Sequence, residues 1–318
     1  MRNTSARFAL IKKTLETEEN TLTVKELCQL TKVSRSGYYR WLKAAEKRQK
    51  REEKDFKEFQ LILRAYQFRG YDKGVRGIHM RLLHEGICMN VKKIRRLMRK
   101  YNLFCPIRKP NPYRRMMKEL RSNVVAPNHV NREFKGYGAR KILLTDITYI
   151  PVAQDFCYLS VVIDAYTMQV LSYVLSESLE VSFVLETINT LIELHGITLE
   201  EETYIHSDQG SHYTSVKFRE LIADKGLIQS MSRRGNCWDN APQESFFGHM
   251  KEELRKHFDK WTSFKEAKAS IDDWMDYYNN DRYQINLEKL SPNEYYNYIT
   301  TGKYPASMYQ VGISKVGK

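Results

Sequence analysis

The sequence predicts an α/β protein, with a mixed-sheet core preceded by small all-α modules. Three observations predict it. The charge divides the chain in two: residues 1–135 carry 34 Lys and Arg against 13 Asp and Glu, whereas residues 136–318 carry 18 against 25. The basic part contains pairs of short runs with apolar residues at helical spacing. The acidic part begins with three β-rich apolar runs and then alternates helix and strand patterns.

A chain of 318 residues is long enough for two or three domains and a sizeable core. With 42% hydrophobic and 28% charged residues it reads as globular, soluble and cytoplasmic. The longest apolar region, 158–175, is interrupted by Asp164 and has only strand-length runs, so no membrane span is expected. The first residues, MRNTSARFALIKK, lack the apolar core of a signal peptide. Five scattered cysteines without a CxxC pair suggest a reducing compartment and no structural zinc. A +21 half joined to a −7 half fits a grip for a polyanion attached to a unit with a different task.

Within the basic half, Val24, Leu27 and Cys28 begin one helix, a break follows near 31–33, and Ser34 is placed to cap a second helix with Tyr38, Trp41 and Leu42 as its apolar stripe. Two short helices around a tight turn form the helix-turn-helix pattern over residues 1–45, and Arg35, Ser36 and Arg40 are its candidate DNA contacts. Residues 46–75 read as a charged linking helix. A second basic module, 76–105, sets Ile78, Leu82 and Leu83 on one face, stops near Gly86, and starts again at Asn90. In its second helix Ile94, Leu97, Met98 and Tyr101 form the stripe, leaving Lys92, Lys93, Arg95, Arg96, Arg99 and Lys100 for a phosphate-lined groove. Residues 106–135, rich in Pro and including Arg114 and Arg115, read as an extended linker whose two arginines also face DNA.

From 141 the runs KILLTDITYIPV, FCYLSVVIDAY and QVLSYVLSES are separated by hairpin-sized gaps and predict three antiparallel strands. A helix ending at Gly196, a short strand ending in Asp208, a helix, a strand and a last helix follow. The order β-β-β-α-β-α-β-α is that of the ribonuclease-H-like fold, assigned to 136–256, with a helical extension over 257–318. Asp146 sits mid-strand, where a charge needs a partner, Asp208 ends the fourth strand, and Glu244 falls in the first turn of the last helix. Asn240 is placed to cap that helix, Pro242 suits an early position and Gln243 could complete a capping box. Asp164 reads as a strand-end structural acid, Asp239 as a cap, and Trp238, Phe246 and Phe247 as core anchors. If the elements pack in this order the three acids converge. Carboxylates held together repel, a divalent cation removes that cost, and an all-oxygen set points to Mg²⁺ or Mn²⁺.

The words TDITYI, HSDQGSHY and CWDNAPQESFFGHMKEE closely resemble the DDE signature of insertion-sequence transposases of the IS-three family, OrfB type, and 35 residues separate Asp208 from Glu244, a spacing typical of that family and of the retroviral integrase core. YYNNDRYQINLEKLSPNEYY resembles the family's closing YNxxRxHxxLxxxSP segment, with Gln284 where the family has His. The resemblance extends over nearly the whole chain. It implies a transposase that binds element ends and performs cleavage and strand transfer by water or a 3′-OH, with Asp146, Asp208 and Glu244 catalytic and holding two Mg²⁺ (or Mn²⁺) ions. Asn240 and Lys251, the latter seven residues past Glu244, would meet the DNA. For His206 and His212, polar support of the acids and plain structural roles both stay open. The implied partners are double-stranded DNA, a second copy of the chain, since two ends must be joined, and the product of an upstream reading frame. Two other readings remain: a DNA-binding regulator with an inactive core, and a metal-dependent nuclease that does not join strands.

Overall fold

The computed structural model describes residues 4–106, 136–199, 202–232 and 241–305. The basic half forms two helical units. In the first, α1 (Thr4–Leu15), α2 (Val24–Leu30) and α3 (Arg35–Lys43) enclose Phe8, Ile11, Leu27, Cys28 and Tyr38. Thr23 and Glu26 close a capping box on α2, and Ser34 accepts from the Gly37 amide at the start of α3. The helix α1 completes this unit; its stretch has no strong sequence periodicity.

The second unit contains the long α4 (Ala45–Gln67) together with α5 (Val75–His84) and α6 (Val91–Lys100). Phe59, Ile62 and Ala65 of α4 share one core with Ile78 and Leu82 of α5 and Ile94, Leu97 and Met98 of α6. Asn90 caps α6 through the Lys92 amide. The charged α4 is therefore one wall of a three-helix unit.

The sheet has the order β3-β2-β1-β4-β5. β1 (Ile142–Val152), β2 (Asp155–Asp164) and β3 (Val170–Ser176) form the antiparallel meander, while β4 (Tyr204–Ser207) and β5 (Ile228–Met231) add parallel strands on the far side of β1. One face is covered by α7 (Val181–His195) and α9 (Val216–Asp224), reached after the single turn α8 (Ser211–Thr214). The other face carries α10 (Ala241–Phe258) and α11 (Phe264–Asn280), whose Phe246, Met250, Leu254, Ile271 and Trp274 pack against Leu144, Val161 and Ile163 of the sheet. Phe246 and Phe247 are buried anchors, as read from the sequence. α12 (Pro292–Thr301), with a Ser291–Glu294 capping box, closes the described part. Sheet order and covering helices are those of the ribonuclease-H-like core. Among the described residues no helix is long and apolar enough to cross a membrane.

One local expectation is corrected. Gln243 does not close a capping box: its side chain is fully buried and its Nε2 donates to the Val161 carbonyl at 3.4 Å. The amide thereby fastens the first turn of α10 to β2, at the position that faces Asp146 across the ladder.

Candidate active site

Asp146 lies midway along β1, half-buried, and its Oδ1 accepts from the Ile147 amide at 2.8 Å. Parallel pairing of Leu144 with His206 brings the end of β4 alongside, so Asp208 emerges next to Asp146 on the neighbouring strand. Asp208 is exposed; its Oδ1 accepts from the Gly210 amide at 2.8 Å in a tight turn. A side chain cannot be added at Gly210 without conflict, because its Cβ would sit 2.9 Å from that oxygen. Glu244 occupies the first turn of α10, whose apolar face is held by the sheet.

Electrostatics link the three. Burial pushes the Asp146 carboxyl up to about 7; the charges of Asp208 and Glu244 push in the same direction, against the Ile147 hydrogen bond and the Lys251 ammonium. Lys251, two turns beyond Glu244, is half-buried; burial lowers its pKa while Asp146 opposes that. Beneath them Tyr213 is buried, its hydroxyl 3.4 Å from Thr145 Oγ1. Its phenol is raised well above the usual range, first by burial and then by Asp146 and Asp208. Tyr213 lies inside the word HSDQGSHY but carries no charge or spacing signal of its own, and sequence reasoning missed it.

Among the described residues no group of three or more His, Cys, Asp or Glu side chains stands close enough together to hold a metal ion as it is. The donor chemistry fits hard divalent cations: the candidate donors are carboxylate oxygens, and Asp146, its pKa raised first by burial, feels the charges of Asp208 and Glu244.

The remaining candidates sort by geometry. Asp164 is fully buried and accepts from the Tyr166 amide, the Thr167 hydroxyl and Arg140, a structural set away from the three acids. His206 is bracketed by Ser230 Oγ at 3.0 Å and Ser232 Oγ at 3.2 Å, tying β4 to β5, and His212 Nε2 lies 2.7 Å from the Leu179 carbonyl. Both histidines hold the scaffold. Gln284 pairs through its backbone with Leu290 and directs its Nε2 to the Tyr278 hydroxyl at 3.5 Å. On α3, Arg35, Ser36 and Arg40 are exposed. On α6 the six cations divide. Arg96 makes two hydrogen bonds to Asp55 at 2.7 and 2.8 Å, Lys100 reaches Asp55 and Glu52, and Lys93 pairs with Glu58, all acids of α4. Lys92, Arg95 and Arg99 stand exposed on a separate face. Arg114, Arg115 and Asn240, with Trp238 and Asp239, lie outside the described residues.

The chain is similar to known proteins along most of its length. Two families described as "Integrase core domain" match residues 137–237 and 225–292, and a family described as "HTH-like domain" matches 52–111. The putative transposase InsK for insertion sequence element IS150 of Escherichia coli K12 is 34% identical over 272 residues, covering 86% of this chain and 93% of that protein. An uncharacterized 31 kDa protein of insertion element IS600 from Shigella sonnei is 29% identical over 268 residues, covering 84% and 96%. Among solved structures, the magnesium complex of the HTLV-2 integrase catalytic core domain is similar at 16% identity and a TM-score of 0.38, covering 49% of this chain and 96% of that one. The BIV integrase core is similar at 19% identity and a TM-score of 0.41, covering 52% and 99%. The matched integrase core and the transposase relatives define a DDE polynucleotidyl transferase. A helical module matched as HTH-like precedes that core. The chain belongs to the insertion-sequence transposases of the IS-three family, OrfB type.

Proposed function

We propose that the protein binds the ends of its insertion element and catalyses metal-dependent strand cleavage and strand transfer, with Asp146, Asp208 and Glu244 as the catalytic acids. The observation that carries this reading is the placement of three acids on adjoining elements, Asp146 within β1, Asp208 at the end of the β4 strand paired beside it, and Glu244 in the first turn of α10, with Asp146 near enough to both to feel their charge. These carboxylates would hold two Mg²⁺ or Mn²⁺ ions, which when bound supply activation of an attacking water or 3′-OH and neutralisation of the departing 3′ oxygen. The protein's own groups do the rest. Gln243 holds the Glu244 turn against β2. The Gly210 amide fixes the Asp208 carboxylate. Lys251 supplies a cation beside the acids and would meet a DNA phosphate there. Tyr213 and Thr145 close the floor.

DNA would be gripped by Arg35, Ser36 and Arg40 of α3 and by α6, where Lys92, Arg95 and Arg99 form the available face; Lys93, Arg96 and Lys100 first need release from the acids of α4. Arg114, Arg115 and Asn240 belong to the same proposed contact set. At least two copies would act on a pair of ends, with or without an upstream reading-frame product, in the cytoplasm at the nucleoid. The test is strand transfer with element ends in Mg²⁺: Asp146→Asn, Asp208→Asn and Glu244→Gln should each abolish joining while end binding persists. Joining retained by any one of them would remove that residue from the site. Nicking without joining by the unaltered protein would favour the nuclease reading instead.

A further inference from the structure

The closing segment resembling the family's YNxxRxHxxLxxxSP run contains three consecutive residues that point to different elements. Asp281 accepts from Arg69 at 3.0 Å and from Arg81 at 3.1 Å, both in the helical unit matched as HTH-like. Tyr283 lies flat against His84 of α5, ring centroids 3.5 Å apart at 10°, and its hydroxyl accepts from Arg81 at 3.4 Å. Between them Arg282 turns to the opposite side. Its Nε and Nη2 both approach Glu253 Oε1 at 3.0 Å, and Glu253 lies on α10, nine residues beyond Glu244. The other Glu253 oxygen accepts from Trp274 Nε1 at 3.0 Å, so the α10 end of the link is itself fixed to α11.

A second set of contacts runs beside it. Tyr71, in the turn between α4 and α5, is buried in the core that contains Phe246 and Met250 of α10. Its ring lies 4.5 Å from that of Tyr277, and its hydroxyl donates to Asp273 at 2.6 Å. Arg69 in the same turn also holds Asp273 at 2.9 Å and Asp276 at 2.7 Å, and adopts a left-handed φ of 53° that a non-glycine residue keeps only where its surroundings hold it. Lys256 of α10 donates to the Gly70 carbonyl and lies 3.5 Å from Asp72.

We infer that Asp281, Arg282 and Tyr283 form a joint that fixes the HTH-like unit to the helix carrying Glu244, so that DNA held by that unit presents one defined phosphate to the acids. The inference rests on the proposed end-binding and cleavage. Charged pairs and an aromatic stack of this kind contribute geometry more than net stability. Geometry is what strand cleavage needs, because a misplacement of about 1 Å can cost on the order of 10²-fold in rate. The joint residues are therefore positioning residues, acting through α10 without touching the DNA.

The experiment uses the full chain on a labelled element end in Mg²⁺, comparing the unaltered protein with Asp281→Asn, Asp281→Glu and His84→Ala. End binding should stay within about 2-fold, while nicking slows about 10- to 100-fold and the nick spreads over neighbouring phosphates. Asp281→Glu should recover part of the rate and the single cut position. Hydrogen exchange reads the joint without catalysis: Asp281→Asn should raise exchange together in 75–100 and 241–258. If Asp281→Asn does not fold, His84→Ala, which removes the stack from the other side, carries both readouts. Unchanged cut position and unchanged exchange in the folded variants would overturn the joint. Failure of the unaltered protein to nick would defeat the proposed function, and the exchange readout would still decide on the joint.

Discussion

Replacing Asp146 by Asn should stabilise the metal-free protein, and the size of the gain follows from the charge it removes. Burial raises the folded carboxyl to about 7 from its ordinary 3.8, with Asp208 and Glu244 adding to the shift. Each unit corresponds to about 1.4 kcal/mol, giving about 4 kcal/mol at full shift. Asp146 keeps some contact with solvent, so roughly 2–4 kcal/mol is expected. Below pH of about 4 both folded and unfolded chains carry the proton and no penalty exists. Between about 4 and 7 the unfolded chain releases its proton while the folded chain retains it, so stability falls as pH rises; above 7 the penalty is constant. Asn keeps the acceptor for the Ile147 amide and never ionises. Chemical denaturation followed by tryptophan fluorescence suits the test, because Trp261 and Trp274 lie in the core beneath α10. In chelator, Asp146→Asn should exceed the unaltered protein by roughly 2–4 kcal/mol at pH 8, with the gap closing toward pH 4. Saturating Mg²⁺ should narrow the gap, since only the complete site gains from the ion. A variant less stable at pH 8, or a difference flat across pH, would refute the reasoning.

Two further perturbations follow from the geometry. Arg95→Ala or Arg99→Ala should lower the slope of log affinity against log salt by about 1 without loss of stability, whereas Arg96→Ala should cost about 1–3 kcal/mol of stability by removing a partner from buried Asp55; equal salt slopes and stabilities for all three would contradict the division of α6. Gly210→Ala should cut strand transfer on the order of 10²-fold in a folded protein, because its Cβ displaces the Asp208 carboxylate; unaltered turnover would show that this turn does not set the acid.

The strand order was legible because each strand rests on local pattern, as was the place of Asp146 within β1, of Asp208 just past β4 and of Glu244 in the first turn of α10. Alternating and continuous apolar runs marked β1 to β3, and Asp146 stood out as a charge inside a strand whose preceding residues Leu143, Leu144 and Thr145 are fully buried. What escaped depends on partners far apart in sequence. The cations of α6 read as one continuous surface, yet Asp55 lies 41 residues before Arg96 and 45 before Lys100. Gln243 has the right spacing for a capping box, but the packing of α10 on the sheet buries it against Val161. Tyr71 sits in a polar turn, FRGYDKG, and nothing there signals that it enters a core some two hundred residues away, where Asp273 awaits its hydroxyl. His206 and His212 could be divided from the acids only once Ser230, Ser232 and the Leu179 carbonyl were seen beside them.

The central claim is that Asp146, Asp208 and Glu244 share divalent cations when the element end is bound. Mn²⁺ binding followed by electron paramagnetic resonance, on the full chain with end DNA, tests it most directly. The unaltered protein should take up two ions per active site, and Asp146→Asn, Asp208→Asn and Glu244→Gln should each lose bound Mn²⁺ while still holding the DNA. Undiminished Mn²⁺ uptake in all three variants would contradict it.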